Sequence, residues 1–169
     1  MLSKKNNHVD QAFLYWRQSQ PLEAGRLLFE RVPPEDRARW AARILQLVVQ
    51  RTGIKPPAIA KILLIAGNPN DWGRAHDAFS HAREFTLQLE NAGDESAGQK
   101  LLLRLSLLAE LVAKVIYNAS HPVDEFDKDS GWWIAVLLKE ILDSVNDEQF
   151  SQTMWSALSS EQDAKPSTR

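Results

Sequence analysis

SAGQKLLLRLSLLAELVAKVIYN, residues 96–118, carries leucine, valine or isoleucine around most of a helical circumference. Lys100, Arg104, Glu110 and Lys114 fall within one arc of a helical wheel, yet Leu103 and Leu107 interrupt that same arc. A helix that is apolar on nearly every side belongs in the interior, with other helices packed around it. Immediately before it, residues 70–91 place Trp72, Ala75, Phe79, Ala82 and Leu89 on one face and stop at Asn91-Ala92-Gly93. Residues 57–66, PAIAKILLIA, contain one charge, Lys61, and read as a helix buried on most sides. Further helices are expected near 9–18, 21–32, 34–52, 131–145 and 147–159, with Pro21 and Pro34 at helix starts and Gly53 at a helix end. No alternation of apolar and polar residues is long enough to argue a strand. The expected fold is all-α: a single irregular bundle of seven or eight helices around the central helix at 96–118.

The whole chain has 169 residues, the size of one ordinary domain, which the reading places at 1–160 with 161–169 as a disordered tail. Helix starts show no constant period, so a solenoid is not expected. AGRLLFERVPPEDRARWAARIL, residues 24–45, looks like a helix-turn-helix hairpin of the tetratricopeptide type, and it occurs once. The formal charge of −2 gives no global basic field, so nucleic-acid binding is unsupported. The absence of cysteine excludes disulfides, thiolate metal sites and cysteine nucleophiles. No apolar segment follows Lys4 and Lys5, and no uninterrupted apolar run reaches the roughly 18 residues that crossing a bilayer requires. A cytoplasmic protein without a cofactor and without membrane association is therefore expected.

Two clusters bear on function. Arg74, Asp77, His81 and Glu84 recur at helical spacing, and Asp77, His81 and Glu84 are the candidate ligands for a weak divalent-metal site. Their alternating signs equally describe a solvated helix face. Arg74 and His81 also resemble the arginine–histidine motif of HEPN-type ribonucleases, all-helical bundles that cut RNA without a metal at a dimer cleft. That resemblance implies catalytic roles for Arg74 and His81, although Ala75 stands where the family usually has a polar residue. No nucleophile elbow and no phosphate-binding glycine loop is present.

The second cluster is DEFDKDSGWW, residues 124–133. Neither register of Asp124, Glu125, Asp127 and Asp129 puts glycine and a bidentate acid where a calcium loop needs them. Acids before a helix stabilise its N-terminus through the helix dipole, which accounts for most of them. Trp132 and Trp133 point about 100° apart on a helix. One of them is expected at the edge of the core, where an aromatic ring beside carboxylates can receive a cation from a partner.

YNASHPVDEFDKDSGWWIAVLLKEILD, residues 117–143, is similar to a segment of small bacterial proteins with no assigned function, which implies a bacterial source and no particular activity. The resulting reading is a non-catalytic interaction or regulatory protein, acting on a protein partner or on itself as a homo-oligomer. Its expected surface is Asp124, Glu125, Asp127, Asp129, Trp132 and Trp133. The alternatives are the ribonuclease and the metal-binding bundle.

Overall fold

The computed structural model describes residues 7–30, 33–121, 130–145 and 147–163. They form α1 (Asn7–Arg17), α2 (Pro21–Glu30), α3 (Pro34–Thr52), α4 (Ile59–Ala66), a short 3-10 turn (Pro69–Arg74), α5 (Ala75–Ala92), α6 (Ala97–Ser120), α7 (Ser130–Val145) and α8 (Glu148–Asp163). Among the described residues there is no strand, and the expected all-α bundle is the fold that forms. No helix among them is long and apolar enough to cross a membrane. Most boundaries fall within two residues of expectation, and two differ by more. α8 continues to Asp163, and the helix expected from residue 70 becomes a tighter turn up to Arg74 before α5 begins. The tighter winding has local causes: Asn68 caps the backbone N–H of Asn70 at 3.1 Å, and the Trp72 indole N–H donates to the Ala66 carbonyl at 3.2 Å. Trp72 is thereby tucked against the end of α4, and α5 starts only once that anchor is placed.

Chain-end chemistry sets the helix limits. Pro34 occupies the first turn of α3, where a missing N–H is harmless, and Gly53 closes it in the left-handed conformation with its N–H on the Val49 carbonyl. Ser96 opens α6 by accepting from the Gln99 N–H, while Asp94 accepts from Ser96.

α6 is the hub. Leu105, Leu108, Ala109, Val112, Ala113 and Ile116 have no exposed surface, and α3, α5 and α7 pack around them. From α3 come Trp40, Ala41, Ile44, Leu45 and Val48; from α7 come Ile134, Leu138 and Ile141. α5 contributes small side chains instead, Ala75, Ala78 and Ala82, so its backbone approaches α6 closely. The two helices expected to pair as a hairpin over residues 24–45 meet edge-to-face through Phe29 and Trp40, at 5.9 Å between centroids. Their main partners lie elsewhere: α2 packs on α1 and α7, and α3 packs on α6 and α8. α8 also reaches α1 through Trp155, whose ring lies 5.2 Å from Phe13 and 6.0 Å from Trp16.

One ion pair fastens distant parts of the chain. Arg51, in the last turn of α3, binds Asp147, whose other carboxylate oxygen accepts from the Phe150 N–H at 3.0 Å and so caps α8. The hydrogen bond from Arg51, followed by that from Phe150, holds the Asp147 carboxyl below the usual aspartate range. A carboxyl lowered on folding contributes stability that is complete above its unfolded value, near pH 4, and is lost as the pH falls through the folded one. Asp147→Asn should lower the thermal midpoint at neutral pH, and the variant and wild-type midpoints should converge below about pH 4. Circular-dichroism melts across that range check this.

Candidate functional site

α6 runs between α5 and α7, and its outward face floors an open groove with those two helices as walls. Phe79 and Arg83 line it from α5, Leu107, Glu110, Leu111 and Lys114 from α6, and Trp133 and Leu137 from α7. Phe79 and Arg83, Leu107, Leu111 and Lys114, and Trp133 and Leu137 stand three or four apart, with Glu110 beside Leu111, so each helix offers one continuous stripe. The hollow measures about 290 Å³, near the lower end of the roughly 300–1,000 Å³ typical of ligand pockets. Trp133 stands on its rim with 51% of its surface exposed, while Trp132, one residue earlier, turns toward α2 beneath the Arg26 guanidinium, 5.0 Å from the ring.

The floor contains a buried polar chain that apolar periodicity does not reveal. Glu110 is only 4% exposed. One of its oxygens accepts from the Thr86 hydroxyl at 2.6 Å and the other meets the Arg83 guanidinium at 3.4 Å. Ser106 lies 2.7 Å from the Thr86 oxygen, and both hydroxyls also approach the Ala82 carbonyl. Thr86 has one proton, and the charge-assisted bond to the carboxylate is the stronger claim on it. Thr86→Val keeps the shape and removes that donor from a buried carboxylate, so it should destabilise the fold by about 2 kcal/mol, against about 1 kcal/mol for Ser106→Ala. Urea unfolding of the two variants measures the difference.

The rim is basic and aromatic. Lys114 sits over the Phe79 ring at 5.1 Å. One turn along α7 from Leu137, Glu140 pairs with Arg104 of α6 at 3.5 Å, and Arg104 also donates to the Ser144 hydroxyl at 2.8 Å. Beyond Phe79 an aromatic stack continues through His76 and Tyr117 to His121, where the last two rings lie 4.3 Å apart. A second hollow, lined in part by Arg39, Arg43 and Gln46, has its arginines engaged by Asp36 at 3.1 Å and by Gln46 at 3.0 Å.

Of the residues singled out from the sequence, Asp124, Glu125, Asp127 and Asp129 lie outside the described residues. The charged residues that line the groove together with Trp133 are Arg83, Glu110 and Lys114. Arg74 and His81 are both exposed, and Arg74 faces Asp71 at 3.9 Å. A cleft around that pair would have to come from a second chain. Asp77, His81 and Glu84 are likewise exposed, and among the described residues no group of three or more acids and histidines is placed to hold a metal ion. Sequence reading missed Glu110, Arg83 and Lys114 as one site. The available signal was Thr86 and Ser106, small hydroxyls within otherwise apolar stripes, which call for a polar partner in the interior.

Fold and groove together define an all-helical protein with an open, partly apolar face on its central helix. Comparison with protein families, with characterised proteins and with solved structures finds no match to this chain.

Proposed function

We propose that this chain is a non-catalytic protein-interaction protein whose groove between α5, α6 and α7 receives apolar side chains from a protein partner. The observation that carries this reading is Trp133, a large ring half in solvent at the wall of a preformed hollow. Tryptophan is enriched among residues that dominate binding energy, and one fixed beside a groove loses little freedom on binding. The stripes of Leu107, Leu111 and Leu137 suit an incoming helix or short segment with anchors three or four residues apart. Binding is favoured over catalysis because Glu110, the carboxylate on the groove floor, is already committed to Thr86 and Arg83.

Photo-crosslinking tests the reading. With benzoylphenylalanine replacing Trp133, which keeps a large aromatic group in place, irradiation of cells making the protein should give a discrete covalent adduct. The same residue at Leu64, which is 77% exposed on α4, is the control for random encounters. Equal, diffuse labelling from both positions would overturn the proposal.

A further inference from the structure

We infer that the groove's partner is a second copy of this chain, docked groove to groove about a two-fold axis; this rests on the groove being the binding face. A two-fold interface must be self-complementary, so one face has to carry both the knob and the hole, and any charges it brings together have to be of opposite sign. This face does. Trp133 protrudes, and the hollow beside it, about 290 Å³, is floored and walled by Leu107, Leu111 and Leu137.

The charges are arranged along the groove in the order that an antiparallel pairing needs. α5 and α7 both run antiparallel to α6: Phe79 lies by Lys114 while Thr86 lies by Ser106, and Trp133 and Leu137 share the groove with Leu107 and Leu111 while Glu140 meets Arg104. One end of the groove therefore carries Trp133, Phe79 and Lys114, and the other carries Arg104 and Glu140. Turning one copy over about an axis through the middle of the groove lays Trp133 of each along the other's Leu107 and Leu137. The same rotation brings Lys114 of one copy toward Glu140 of the other, whose side chain is 51% exposed even with Arg104 beside it. The indole faces are then offered to the Arg104 guanidinium, an arrangement that cation–π attraction favours. A formal charge of −2 per chain opposes such association only weakly.

Sedimentation equilibrium of the purified full chain, from micromolar to sub-millimolar concentration, tests this. Wild type should pass from the chain mass to twice the chain mass. Trp133→Ala, at an exposed position, should keep its helical circular dichroism and dimerise at least about tenfold more weakly. Glu140→Lys should weaken the dimer, and Lys114→Glu combined with it should restore part of the loss. Wild type remaining at the chain mass throughout would overturn the inference, as would a dimer indifferent to Trp133→Ala. A monomeric chain whose position 133 still crosslinks to a different protein in cells would sink the self-association and leave the groove reading standing.

Discussion

Gly25→Leu should destabilise the protein by at least about 3 kcal/mol, the upper end of the range for overpacking a close contact. α2 and α7 cross where Gly25 meets Trp132 and Ala135. A Cβ at residue 25 would lie 2.8 Å from the Ala135 Cβ, 3.0 Å from the Trp132 Cα and 3.1 Å from the Trp132 carbonyl oxygen. None of these atoms is the end of a flexible side chain, so relief requires the helices to separate. Gly25→Ala already provokes the clash, but it gains roughly 1 kcal/mol of helix propensity, leaving a net loss of about 1–2 kcal/mol. Leucine adds three more carbons with nowhere to go. Displacing α7 also shifts Trp133 and Leu137 on its far side, so Gly25→Leu should weaken association as well as folding. Thermal and urea unfolding read the first effect and sedimentation the second. An unchanged melting midpoint would mean that α2 and α7 do not make this crossing.

Trp40→Ala is the second large effect, expected at about 3–5 kcal/mol, as for other truncations of a buried aromatic. Trp40 is 2% exposed and sits in α3 edge-on to Phe29, in the same core that α6 enters with Leu105 and Leu108. Removing the indole leaves a cavity walled by rigid helices, which cannot collapse to fill it. Against a total stability of roughly 5–15 kcal/mol for a domain, this change alone brings the fold near its limit. Leu64→Ala, on the exposed side of α4, should stay within about 0.5 kcal/mol of wild type. Urea unfolding of this pair separates core packing from surface change.

Helical periodicity made the bundle legible because each helix buries a stripe and the stripe is written in the spacing of its apolar residues. The centrality of α6 followed from the leucines interrupting its polar arc, and six of its residues are indeed fully enclosed. One of those interrupting positions also misleads. Leu107 and Lys114 share an arc because that arc faces a groove, neither core nor open solvent, and a one-dimensional pattern cannot distinguish a groove from an irregular surface. Glu110 lies in the same arc, and the pattern does not mark it as buried. Its polar partner Thr86 lies 24 residues away on α5 and reaches it only after α5 and α6 have packed. The hairpin-like passage at 24–45 misleads in another way: local sequence marks two helices and a turn, while the choice of packing partner is made by Gly25, whose missing side chain admits α7. Trp132 and Trp133 behave as neighbours on a helix must, one turned to α2 and the other to the groove.

Hydroxyl-radical footprinting is the most direct test of the claim that this protein acts through its central groove. The rate of Trp133 oxidation should fall several-fold in cells making the protein, relative to the dilute purified chain. Phe79 and Leu137 should be protected alongside it, while Leu64 reacts equally in both settings. Trp133 oxidised at the same rate in cells and in dilute solution, with Leu64 as its control, would contradict the account.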